Sequence, residues 1–149
     1  MKTSSIFFVV AAYLTSLSFS SCSVDPEPFT IGKDDCHVCK MGVADLRFGG
    51  ELITKKGKIY KFDDMRCMVD FLKSGTIEEK NMKQTLFMNF ESPNEFLDVK
   101  NAWFVASKDI RSPMNSNISA FSNKSAAENM LKDKQGELVT WNEILQRVK

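Results

Sequence analysis

The sequence predicts an α+β fold: small antiparallel sheets with helices on one face. Three observations predict it. Lys55-Lys56-Gly57-Lys58 is a turn between two strand-like segments. Ile59–Phe62 runs into an Asp-capped helical stretch that ends at Gly75. Ile118–Phe121 runs in the same way into an Asn-capped stretch that ends at Gly136. This repeated plan predicts two related ββα modules.

The elements follow in order. Phe29, Thr30 and Ile31 are a short apolar start. Residues 43–53 read as one strand bent at Gly49-Gly50. Ile59–Phe62 returns from the lysine turn. Asp63-Asp64 then caps a helix whose Met65, Met68, Val69 and Leu72 fall at i, i+3, i+4 and i+7, with Cys67 and Phe71 widening the apolar face. Residues 81–83 are a polar link, 86–90 a strand, Ser92-Pro93-Asn94 a turn, and 96–99 an extended continuation. Residues 102–106 form an aromatic and β-branched run that suits a buried strand. A polar loop, 112–117, leads to Ile118–Phe121. Asn123 caps a helix carrying Ala126, Ala127, Met130 and Leu131. Leu138-Val139 is the last strand, and residues 141–148 form a short helix.

The first residues belong to an address rather than to the fold. Lys2 precedes a nine-residue apolar core, residues 6–14, too short to span a bilayer as a helix. Leu17-Ser18-Phe19-Ser20-Ser21-Cys22 resembles a bacterial lipoprotein signal, with Phe19 in place of the usual aliphatic residue. The expected organisation is a signal peptide over 1–21, an acylated Cys22 with a polar, flexible tether over 22–33, and a globular domain over 34–149. An ordinary secretory signal with Cys22 as a bystander is the alternative. The chain of 149 residues suits one domain and carries a formal net charge of +1. Without residues 1–21 it balances 19 basic against 19 acidic side chains. No electrostatic argument points to nucleic acid. Contact with the membrane would come from the lipid.

The chemistry concentrates in Cys36-His37-Val38-Cys39-Lys40-Met41. Cys36 and Cys39 form a C-x-x-C, and His37 is the chain's only histidine. With Cys22 acylated, Cys36, Cys39 and Cys67 remain, an odd number that argues against a fully paired disulfide framework. A structural zinc site wants four ligands, commonly from two such pairs, and only Cys67 and an awkwardly placed His37 are left. A thioredoxin-like pair would open a helix, but Gly42 follows closely. A c-type haem needs His after the second Cys, where Lys40 stands. Cu(I) needs only two or three soft ligands, and the Met41 thioether suits Cu(I) better than zinc. Cys39, Met41, Cys36, Met114, His37 and Cys67 are the candidate ligands. Met114 qualifies because no apolar stripe explains a thioether in a polar loop. Cys67 competes with a reading as a small buried hydrophobe. Two rivals stand beside the copper site: an exported thiol–disulfide redox protein, and a non-metal envelope binding module stapled by a Cys36–Cys39 disulfide. Enzymatic readings are weak, because one histidine and scattered carboxylates select neither a nucleophilic pair nor an acid–base pair.

Taken together, the motifs resemble a known family. A lipoprotein-like signal precedes Cys36-x-x-Cys39-x-Met41-Gly42 and Phe62-Asp63-Asp64-Met65-x-Cys67-Met68. Ala102-Trp103-Phe104-Val105 and Ser112-Pro113-Met114-Asn115 follow. The order and spacing look like NosL, the copper-binding accessory lipoproteins of nitrous-oxide reductase maturation. The resemblance implies Cu(I) binding in the periplasm or at the outer face of the membrane. It implies transfer of the ion to the reductase or its assembly factors for the copper–sulfur centre, and two related ββα modules. Cys39 and Met41 fall on the family's motif, and Met114 on its later Met loop. That loop is commonly Gly-Met-Gly in the family and is Pro113-Met114-Asn115 here.

Overall fold

A computed structural model describes residues 24–148. The predicted signal, Cys22 and the first tether residue lie outside them. A 3-10 turn, Leu46–Phe48, leads to β1 (Gly50–Thr54), β2 (Ile59–Phe62) and helix α1 (Met65–Lys73). A second 3-10 turn, Glu79–Asn81, leads to β3 (Met82–Met88) and β4 (Phe96–Asp98). Then come β5 (Trp103–Ser107), β6 (Ile118–Phe121), α2 (Lys124–Asp133), β7 (Gly136–Val139) and α3 (Trp141–Arg147). No helix among the described residues is long and apolar enough to cross a membrane.

The sheets run β2-β1-β3-β4 and β6-β5-β7, antiparallel throughout. In each module the first strand is central, its hairpin partner lies on one side, and the strand after the helix lies on the other. That is a split β-α-β arrangement repeated along the chain. The expected α+β class with two related modules is therefore the observed one, and the strand after each helix extends the ββα plan to ββαβ.

Alternation along the strands decides the layers. Leu52 and Phe87 face inward from the first sheet, and Phe104, Ile118, Ala120 and Val139 from the second. Both sets join Met65, Cys67, Met68, Val69 and Phe71 of α1 in one buried cluster. The alternate residues Val105 and Phe121 face the other way and pack on Ala126 and Ala127 of α2. The outer face of the first sheet is covered by the N-terminal segment, where Phe29 is buried with Val43 and Met88. That segment is held at further points. The Glu27 N–H donates to Glu51 Oε2 at 3.2 Å, and Phe29 N–H to Asn94 Oδ1 at 2.8 Å. Lys83 Nζ donates to the Val24 carbonyl at 3.3 Å. Residues 24–28, read from sequence as tether, thus lie on the domain, and Phe29 starts the packed chain.

Three boundaries differ from expectation. The strand expected over 43–53 begins only at Gly50, because Asp45 accepts from Arg47 N–H at 3.0 Å and turns the chain into a 3-10 helix. At Gly50 any side chain would meet Leu86 O at 2.8 Å across the ladder. The link at 81–83 is mostly strand, since β3 starts at Met82, opposite Thr54. Helix α2 stops at Asp133 rather than at Gly136. Gly136 instead opens β7, where a Cβ would crowd Ser107 at 3.0 Å. The lysine turn, β2, the Asp64 and Asn123 caps and β6 lie where the sequence puts them.

Candidate metal centre

The site forms where three pieces of the first module converge. The segment from Asp35 to Gly42 closes on itself through a bridge between those two residues. Cys36 N–H donates to Met41 O at 2.8 Å, and Lys40 N–H to Cys36 O at 3.1 Å. Lys40 takes a left-handed φ of 61°, which completes the tight return. The His37 N–H donates to Lys61 O at 2.8 Å, so the loop rides on the open edge of β2. Just beyond that edge β2 hands over to α1. Asp64 is the N-cap, and Cys67 stands in the first turn of the helix.

This convergence gathers Cys36, Cys39, Cys67 and Asp63, whose ligand atoms all lie within 4.8 Å of one another. Cys36, Cys67 and Asp63 are buried and Cys39 is half-exposed. The Cys39 thiol lies 3.7 Å from both Asp63 carboxylate oxygens. All three thiols are free. Three sulfurs around one soft ion at metal–sulfur bonds of about 2.3 Å stand roughly 4 Å apart, within the observed envelope.

The electrostatics are unequal. A hydrogen bond from the Cys67 thiol is the main cause that brings Cys36 down to about 6. Backbone N–H groups of Asp63 and Cys39 add to it, against burial. A position beside a helix N-terminus favours a thiolate in the same sense. Cys67 is pushed far up, first by that same hydrogen bond and then by burial. Burial raises Cys39, with the charges on Cys36 and Asp63 adding to it. Cys36 is thus the thiol of the three that ionises first.

The other expected ligands take different places. His37 turns its ring edge-on to Tyr60 and Phe71, at centroid distances of 4.8 and 5.3 Å, outside the cluster. Burial, then Lys40 and Lys58, lower its pKa, so it is a neutral imidazole at pH 7. Met41 ends the loop with 48% of its surface exposed. Met114 is half-buried against the shared core, and its N–H donates to Asp64 Oδ2 at 2.8 Å. The sequence does not mark Asp63 as a site residue, because two adjacent aspartates before a helix both look like caps. Only Asp64 caps. Asp63, one residue earlier, faces the thiols.

A family model described as NosL matches residues 28–148. The crystal structure of the copper chaperone NosL from Shewanella denitrificans is similar in fold, with a TM-score of 0.69 and 23% sequence identity. The match covers 81% of this chain and 96% of that one. Among curated proteins none matches.

Proposed function

The chain belongs to the NosL family, and from that premise we propose that it is a Cu(I)-binding metallochaperone. It is held to a bacterial envelope membrane through acylated Cys22 and faces the periplasm or the cell exterior. It supplies copper for the copper–sulfur centre of nitrous-oxide reductase, directly or through an assembly factor. The observation that carries the reading is the gathering of Cys36, Cys39, Cys67 and Asp63 within 4.8 Å. Three sulfurs select a soft monovalent ion, and one carboxylate beside them offsets little of that preference.

The copper ion is cargo, so the site must both hold and release it. Cys36 and Cys67 are the inner grip, because both are buried. Cys39 is half-exposed and Met41 exposed, which makes them the side on which a partner's sulfur or imidazole enters. The incoming ligand bonds to the ion before Cys39 leaves, so no free ion forms. Cys39 departs as a thiolate and takes up a proton from solvent, its thiol then resting 3.7 Å from the Asp63 carboxylate oxygens. Met114, whose N–H is fixed to Asp64 at the start of α1, is the candidate for a further thioether donor.

Anaerobic titration of the reduced domain against a Cu(I) chelator tests the reading. About one tightly held Cu(I) per chain is expected. Failure to compete at any ratio would overturn it. Copper content of the reductase purified from cells lacking this chain tests the recipient. The low-lying Cys36 thiol favours the thiol–disulfide rival, which predicts insulin-disulfide reduction by the copper-free protein.

A further inference from the structure

The geometry points to a second membrane contact, in which the lysines at the tip of the β1–β2 hairpin dock on the anionic phospholipid surface of the anchoring membrane. It rests on the acylated Cys22 proposed above.

The described chain begins against the turn of this hairpin. The Val24 side chain lies over Gly57, so close that a Cβ there would meet it at 2.8 Å. Lys83 Nζ holds the Val24 carbonyl from the neighbouring strand β3. Val24 follows Cys22 by two positions, a reach of about 7 Å at full extension. An acyl group on Cys22 therefore brings the hairpin tip to within roughly one Debye length, about 8 Å, of the headgroups. A tether free over residues 22–33 would impose no such closeness.

The tip carries the charge to use it. Lys55, Lys56 and Lys58 are exposed, and none pairs with a carboxylate among the described residues. Lys58 Nζ lies 4.5 Å from the Tyr60 ring centroid, which leaves its positive charge in place. Lys83 and Lys80 flank the turn, since Lys55 N–H donates to Asn81 O at 2.9 Å. Glu78, which binds Lys80 at 2.6 Å, Glu79 and Asp25 are the acidic groups nearby, so this end keeps a positive excess. Positive side chains bunched at the point where a lipid-bearing chain leaves the domain match a negatively charged lipid surface.

The consequence is orientation. Strand β2 runs from the lysine turn to Asp63, four residues spanning about 13 Å. With the turn on the bilayer, the thiol cluster stands at the far end of the hairpin, presented to a partner rather than to lipid.

The acylated protein is reconstituted into vesicles of phosphatidylcholine alone or with about one third phosphatidylglycerol. Hydrogen exchange is followed at the amides of residues 55–58. Docking slows this exchange roughly three- to tenfold on the anionic vesicles. The slowing disappears at 0.5 M salt and in K55Q/K56Q/K58Q, which leaves Gly57 and the turn intact. Equal exchange on both vesicles overturns the docking. The mass of Cys22 reads the anchor separately: an unacylated chain overturns the tether, and the same vesicle comparison on that chain still decides the lysine face.

Discussion

Asp64 holds Met114 across the two modules. Its Oδ2 accepts the Met114 N–H at 2.8 Å, while its Oδ1 accepts the Arg66 N–H at 2.8 Å and caps α1. One buried carboxylate thus fixes both the helix that carries Cys67 and the loop that carries Met114. Asp64→Ala is expected to cost about 2–3 kcal/mol, a lost cap of about 1 plus a stranded N–H of 1–2. Asn has a single acceptor oxygen and falls between the two. Urea denaturation measures the cost. A loss no greater than that of a cap alone would mean that something else holds the Met114 loop.

The thiols should not be equivalent in copper affinity. Cys36→Ser and Cys67→Ser each remove a buried donor and should weaken Cu(I) binding by roughly 100-fold or more. Cys39→Ser should weaken it less at equilibrium but slow transfer to an acceptor, because Cys39 is the exchanging ligand. Met41→Ala should cost about tenfold or less. His37→Ala should leave affinity unchanged and lower stability, since the ring packs edge-on against both Tyr60 and Phe71. Chelator competition on each variant decides, and equal losses at Cys36 and His37 would refute this ranking.

Copper affinity should rise steeply with pH. Cys36 titrates at about 6, whereas Cys39 and Cys67 lie above the ordinary thiol range. Thiolates, not thiols, bind the ion, so loading at pH 7 displaces about two protons. The logarithm of the association constant then climbs by roughly two per pH unit near neutrality. Below about pH 6 the Cys36 thiolate is protonated as well, and the slope steepens. Competition between pH 5.5 and 8 with a chelator of known proton linkage measures it. A flat profile would mean that the ion uses thioethers instead.

The parts of the fold legible in sequence were those fixed by local chemistry. The lysine turn with Gly57 at φ 82°, the Asp64 and Asn123 caps, and strands closing on Phe62 and Phe121 all depend on near neighbours. Boundaries failed where a distant partner decides. Met82 joins β3 because it pairs with Thr54 of β1, and Gly136 opens β7 because Ala106 and Ser107 lie against it from β5. The metal centre divides likewise. Cys36 and Cys39 announce themselves by spacing. Cys67 on its apolar helical face, and Asp63 beside a true cap, join them only once α1 docks under the loop on β2. Donor chemistry keeps Cys67 among the candidate ligands while periodicity places it on the core face, the cap pattern claims Asp63, and neither pattern carries a trace of that docking.

Glu51 supplies the last prediction. It lies in β1, fully buried beneath the N-terminal segment, with Oε2 accepting from Glu27 N–H and Oε1 unpartnered among the described residues. Burial lifts its pKa to about 7, with the charges of Glu27 and Asp34 in the same direction and the Glu27 N–H and Lys61 opposing. The folded state thus holds a proton that the unfolded state releases from about 4.5 upward. Stability from this group is complete at low pH and falls as pH rises from about 4.5 to about 7, then stays low. Glu51→Gln keeps the acceptor for Glu27 and cannot ionise. It should match the wild type near pH 4 and exceed it by on the order of 2 kcal/mol at pH 8. Denaturation midpoints across that range measure the gap. A variant that gains nothing at pH 8 would mean that the Glu51 carboxylate is already compensated, with Lys61 turned onto it instead of onto Asp34 and Glu27.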